Sequence, residues 1–133
     1  MSFSYPKKHK LKSKTSIDLL FAKGKSVSKY PLRLVYAVAN EQQMDGEMMK
    51  IGVSVSKKYF KHAVDRNYFK RILRETYRLN QHLLREHLNE PYIFMFFYQT
   101  KDRLSYEEIE QKTILLFKKW ALEIKNQESE NNK

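Results

Sequence analysis

Apolar residues along this chain recur with two periods, about two and about 3.6 residues, and the switches between them mark out the elements. Thr15 and Ser16 offer N-caps to a short helix in which Ile17, Leu20 and Phe21 share one face and Gly24 ends the run. From Leu32 to Ala39, LRLVYAVA alternates in part, with Leu32, Leu34, Tyr36 and Val38 on one side of a strand. NEQQMDGE then forms a loop around an Asp45-Gly46 turn. Met49, Ile51, Val53 and Val55 alternate with Lys50, Gly52, Ser54 and Ser56, which describes a strand with one buried face. These two strands are expected to pair as an antiparallel hairpin.

Helical spacing resumes near Ala63 and runs past Leu84, until HLNEP breaks it. The run from Tyr92 to Tyr98 follows Pro91 and lacks alternation, so it reads as a strand covered on both faces. Ser105 and Glu108 form a capping box for a last helix, in which Ile109, Leu116, Trp120 and Ile124 recur at helical spacing. The expected layout is a basic arm over residues 1–14, one α+β domain over 15–126 and a polar, frayed tail over 127–133. Its order is helix, two or three strands, helix, strand, helix, with no internal repeat.

A hydrophobic fraction of 41% and an aromatic fraction of 14% in 133 residues suffice for one core. Charge changes the picture more. Lys and Arg number 26 against 15 Asp and Glu, a net +11, which calls for a polyanionic partner. Nucleic acid fits better than a membrane surface, because a membrane-bound amphipathic helix needs a free apolar face and here the apolar residues are needed inside. Lys7, Lys8, Lys10, Lys12 and Lys14 make residues 1–14 either an arm that orders on RNA or a solubilising tail. The absence of cysteine excludes disulfides, zinc fingers and cysteine nucleophiles. With no signal-peptide pattern and no apolar run near the roughly 20 residues of a membrane span, the expectation is a cytoplasmic protein without a membrane partner.

On a helical wheel of about 100° per residue, Arg66, Asn67, Lys70, Arg71, Arg74 and Arg78 fall on one arc of roughly 140°. Tyr68, Phe69, Ile72, Leu73, Leu79 and Leu83 lie opposite. Like charges four residues apart repel by a few tenths of a kcal/mol per pair. A merely solvated face usually mixes signs, whereas this bias points to phosphate, which arginine's planar fork grips bidentately. Asn67 adds an amide able to read a sugar or base edge. The strand at 49–56 enters this helix through Ser54, Ser56, Lys57, Lys58 and Lys61, hydroxyls and ammonium groups that suit a phosphate-binding surface or, more plainly, a polar loop.

At that junction the residues become specific. Ile51-Gly-Val-Ser-Val-Ser-Lys-Lys58 followed by Ala63-Val-Asp-Arg-Asn-Tyr-Phe-Lys-Arg-Ile-Leu-Arg-Glu75 closely resembles the signature of the bacterial ribonuclease P protein family, a GxSVSKK-like strand end and an AVxRNRxKRxxRE helix. Tyr68 stands where the pattern has the second Arg of its RNR triplet. Upstream, Leu11, Phe21-Ala-Lys-Gly24 and Ser26-Val27 extend the resemblance, and Ile17 replaces an aromatic one turn before Phe21. It covers about residues 8–126 and is strongest at 51–75.

The resemblance implies a small, mostly antiparallel sheet with a left-handed βαβ crossover, against the usual right-handed rule. It implies that Lys61, Arg66, Asn67, Lys70, Arg71, Arg74 and Arg78 face a catalytic RNA. It also implies a cleft between the first helix and the sheet for the single-stranded 5′ leader of precursor tRNA. Phe21, Tyr36, Lys57 and Lys58, with the hydroxyls of Ser54 and Ser56, are the positions here; plain core packing is the other reading of Phe21 and Tyr36. Aromatic faces stack on unpaired bases with little sequence preference, which suits a variable leader. The implied reaction is phosphodiester hydrolysis with Mg2+ held by the RNA, so no catalytic or metal-ligating residue and no DNA partner are expected. His9, His62, His82 and His87 are scattered, in keeping with that. The alternative is a ribosomal or other structural RNA-binding protein, which shares the charge and size but has no reason to carry both motifs. A self-sufficient metal nuclease would need clustered carboxylates.

Overall fold

The computed structural model describes residues 10–11, 14–40, 42 and 44–131. Its elements are α1 (Lys14–Lys23), β1 (Lys25–Lys29), β2 (Leu32–Val38), β3 (Met49–Val55), α2 (Ala63–Asn80), α3 (His82–Arg85), β4 (Tyr92–Tyr98) and α4 (Tyr106–Asn131). The strands form one mixed sheet in the order β1-β2-β4-β3.

The expected hairpin between β2 and β3 does not form. β4 lies between them, antiparallel to β2 and parallel to β3. The reason is visible in β4 itself: YIFMFFY is buried along almost its whole length, so it takes the centre of the sheet, where both edges and both faces are covered. Its entry is stitched on both sides, as Ala39 N donates to Pro91 O at 2.9 Å and Tyr92 N donates to Met48 O at 3.0 Å. The true hairpin is β1-β2, closed by a two-residue turn with a cis Tyr30–Pro31 bond. The Asp45-Gly46 turn is present, with φ of 52° and 80°, but it leads β3 across to the far side of β4.

Register sorts the side chains into two cores. Leu34, Phe96 and Val53 lie in one row, as do Tyr36, Phe94 and Ile51, and their face packs on α2 and α4 through Phe69, Leu73, Tyr77, Leu116, Phe117 and Trp120. The opposite face carries Val35, Ala37, Ile93 and Met95, covered by Leu20 of α1 and by Leu11. Leu11 belongs to the segment expected to be a free arm, yet its N–H donates to Ile51 O at 3.1 Å and its side chain is buried. The rest of that arm, residues 1–9 and 12–13, lies outside the described residues.

Helix ends follow local chemistry. Ser105 Oγ accepts from Glu108 N at 3.2 Å, the expected cap of α4, and α4 then continues through Asn131, so polar residues 127–131 extend the helix. The long central helix divides at Gln81, where Asn80 Nδ2 donates to Thr76 O at 2.8 Å and Gln81 Nε2 to Arg78 O at 3.0 Å. Arg78 O is one of the carbonyls that the last turn of α2 leaves open, and the Asn80 side chain adds a bond to its own helix one turn back. Gly24 ends α1 because nothing larger fits: a Cβ there would sit 2.1 Å from Leu20 O.

Candidate nucleic-acid interface

Phe69, Ile72, Leu73, Thr76, Tyr77 and Asn80 bury one side of α2 and so fix which side faces out. Thr76 Oγ1 donates to Leu73 O at 3.0 Å and accepts from Thr113 Oγ1 at 3.2 Å, which locks α2 to α4. The outward side carries Asn67, Arg71 and Arg74 exposed, with Lys70 and Arg78 half-buried.

The six ridge residues differ in what they have free to offer. Arg71 and Arg74 have no ion-pair or hydrogen-bond partner among the described residues. Arg78 grips Glu75 with two bonds, Nη2 to Oε1 at 2.5 Å and Nε to Oε2 at 3.1 Å. That bond holds the Glu75 carboxyl below its ordinary range. Arg66 turns back on its own loop, donating from Nη1 to Phe60 O at 3.0 Å and Lys61 O at 2.8 Å. It therefore sits off the outward side, where the wheel alone grouped it with the others.

The junction between β3 and α2 is a tight turn. Ser56 Oγ accepts from Lys58 N at 3.1 Å, and Ser56 O accepts from Tyr59 N and Phe60 N at 3.1 and 3.2 Å. Ser56 thus uses its hydroxyl oxygen as an acceptor in the turn and stays exposed, while Lys57, Lys58 and Lys61 project into solvent. Lys58 Nζ lies 5.6 Å from the centre of the Tyr59 ring.

A second surface lies on the α1 face of the sheet. α1 covers the rows of Ile93 and Met95 and leaves the next row, Ser28-Arg33-Phe97-Ser54, uncapped by its buried residues. Arg33 is exposed there, and Phe97 and Ser54 are half-buried. Phe21 is 66% exposed, one turn beyond Ile17 on α1, not on the buried face that Leu20 supplies. Ile17, Lys10, Leu11, Gly52, Met95 and Arg74 line a cavity of about 280 Å³, so it meets both α1 and one arginine of the ridge. Gly52 keeps it open, since a Cβ there would crowd Met95 Sδ and Cε at 3.1 Å.

Tyr36 does not belong to that surface. It points to the opposite face, is 3% exposed, and packs beside Tyr92 and edge-on to Trp120 at 6.1 Å between ring centres. Burial raises its hydroxyl pKa, and Gln127 Nε2 donates to that oxygen at 3.2 Å. Core packing is its role in the fold. In its place the structure brings forward Arg33 and Phe97. Arg33 was legible as the outward residue between Leu32 and Leu34; Phe97 was hidden in an unbroken apolar run.

Tyr68 is 46% exposed, not buried as its place opposite the ridge implied. Arg103, from the loop before α4, lies 5.6 Å from its ring centre and donates to Asp65 Oδ1 at 2.9 Å. Among the described residues no three or more His, Asp or Glu side chains gather where a metal could be held, and no helix is long and apolar enough to cross a membrane.

The ribonuclease P family model matches residues 5–121. The ribonuclease P protein component of Porphyromonas gingivalis strain W83 is 42% identical over 93 residues, 70% of this chain and 66% of that protein, just under two thirds of its length. That of Clostridium botulinum strain Langeland is 34% identical over 115 residues, 85% of this chain and 95% of that protein. The RNase P protein of Staphylococcus aureus superposes with a TM-score of 0.66 at 19% identity, covering 83% of this chain and 93% of that one. The Thermotoga maritima protein gives 0.65 at 21% identity, covering 83% and 96%. At such identities the superpositions establish a shared fold, and the sequence matches carry the kinship: this chain belongs to the ribonuclease P protein family.

Proposed function

We propose that the chain is the protein subunit of ribonuclease P, acting in the cytoplasm to help a catalytic RNA remove the 5′ leader of precursor tRNA endonucleolytically. The observation that carries this reading is the pairing, in one small domain, of a cationic ridge with a separate, partly aromatic sheet surface. Two RNA strands can then be held at once. Lys61, Asn67, Lys70, Arg71, Arg74 and Arg78 bind the catalytic RNA, with Arg66 shaping the loop that presents them. Phe21, Phe97, Arg33, Ser54, Lys57 and Lys58 take the leader, aromatic faces against unpaired bases and cations against phosphates.

In this reading Mg2+ is held by the RNA, where it would supply activated water and stabilise the leaving oxygen. The protein's part is electrostatic and positional. Two polyanions repel, and a +11 chain between them lowers that repulsion while fixing the leader's path. Purified protein is expected to leave precursor tRNA intact, and to restore cleavage by a bacterial ribonuclease P RNA at magnesium concentrations where the RNA alone is inactive. Cleavage by RNA-free protein, or no stimulation of a cognate RNA, would overturn the proposal.

A further inference from the structure

Arg103 comes from outside the ridge, yet the fold sets it against α2. Its guanidinium carbon lies 5.2 Å from the ring centre of Phe69, 5.6 Å from that of Tyr68 and 5.9 Å from that of Phe60. Asp65 holds it at 2.9 Å, and the side chain is still 55% exposed. Tyr68 stands edge-on to Phe69 at 5.0 Å between ring centres, so its orientation is fixed by the core while nearly half its surface meets solvent. Packing an exposed tyrosine beside an arginine that Asp65 holds in place makes a preorganised, flat surface with a half-exposed guanidinium at its side. Asn67 adjoins Tyr68, and Arg71 is its neighbour three residues on.

We propose that Tyr68 and Arg103 form a second platform for the catalytic RNA, taking an unpaired nucleotide with its base against the Tyr68 ring and its phosphate on the guanidinium. The inference rests on the reading of α2 as the RNA-facing helix. An exposed aromatic face suits an unstacked base, and a guanidinium beside it neutralises the adjoining phosphate. The leader is not the occupant. The cavity with Ile17 and Gly52 opens on the flank of α2 that carries Arg74, whereas on a wheel of about 100° per residue Tyr68 lies on the other flank, toward α4.

The test measures affinity of the full chain for ribonuclease P RNA across a salt titration, together with short-wavelength ultraviolet cross-linking at residue 68 and the thermal midpoint. Arg103→Ala is expected to weaken binding about fivefold and, because Asp65 shares its charge, to lower the salt slope by less than the full unit of an unpaired arginine. Arg103→Lys restores the slope without the full affinity, because the ammonium lacks the planar stack. Tyr68→Ser abolishes the cross-link and weakens binding; Arg103→Gln, which keeps a donor for Asp65, guards against a folding defect. Wild-type binding by Arg103→Gln and Tyr68→Ser, or a cross-link that maps only elsewhere, overturns the platform. Arg71→Ala in the same titration separates the two readings: a loss there with none at Arg103 leaves the ridge standing and removes the platform alone.

Discussion

Arg66 donates from Nη1 to the carbonyl oxygen of Lys61 at 2.8 Å, and this one bond sets Arg66 apart from every other cation of α2. With the second bond to Phe60 O, it closes the loop over the start of the helix. A hydrogen bond from a charged donor contributes about 1.5–3 kcal/mol when sheltered, and Arg66 is partly exposed, so Arg66→Ala should destabilise the fold by about 1–2 kcal/mol. Arg71 makes no such bond, and Arg71→Ala should stay within about 0.5 kcal/mol. Urea midpoints of the two variants check this; equal values would contradict the division of labour.

For RNA affinity the order reverses. Arg71 and Arg74 offer unshared guanidinium groups, so Arg71→Ala and Arg74→Ala should each lower the slope of log affinity against log salt by about one. Arg78 is already paired with Glu75 at 2.5 Å. Arg78→Ala should therefore lower the slope by less, and Glu75→Gln, which removes the carboxylate charge beside Arg78, should raise it. A slope that falls in Glu75→Gln would show that the carboxylate itself serves binding.

These distinctions mark where the chain's pattern stops being informative. Periodicity located α2, β3 and the α4 capping box, because each depends on neighbours within one or two turns. It missed the neighbour order of the strands, since the place of β4 depends on its demand for burial on all sides, a property of the assembled sheet. The optional third strand, β1, carries no clear pattern because KSVSK buries only Val27 on an edge strand. Tyr36 and Phe21 were both aromatic and each open to two readings; sheet register sent one into the core and helix phase sent the other into solvent. Arg103 gave no local sign, because the residues that give it meaning, Asp65, Tyr68 and Phe69, lie more than thirty positions away.

Acid should act on the Glu75–Arg78 pair with a defined sign. The hydrogen bond from Arg78 holds the Glu75 carboxyl below its ordinary value of 4.5 in the folded chain. The unfolded chain then takes up that proton first as pH falls. The contribution to stability is present above the unfolded value and is lost as pH drops through the lowered folded value. Glu75→Gln should remove this part of the acid limb in urea midpoints measured from about pH 6 to about pH 3. A variant whose pH profile parallels the wild type throughout would refute the coupling.

Phe21 and Tyr36 supply the sharpest contrast between a surface that binds and a core that holds. Tyr36 is 3% exposed and touches Tyr92 and Trp120, so Tyr36→Ala should cost about 3–5 kcal/mol through lost burial and the cavity left behind. Phe21 is 66% exposed, and Phe21→Ala should leave stability within about 0.5 kcal/mol. Trp120, the single tryptophan, is fully buried against Tyr36, so its fluorescence reports unfolding for both variants. In the reconstituted holoenzyme Phe21→Ala should weaken binding of precursor tRNA with a leader several nucleotides long by about fivefold to tenfold, the worth of one stacked base at the low end of its range. Binding of mature tRNA, which has no leader, should not change. Equal loss for both tRNAs would move Phe21 out of the leader's path, and a large fall in stability would return it to the core.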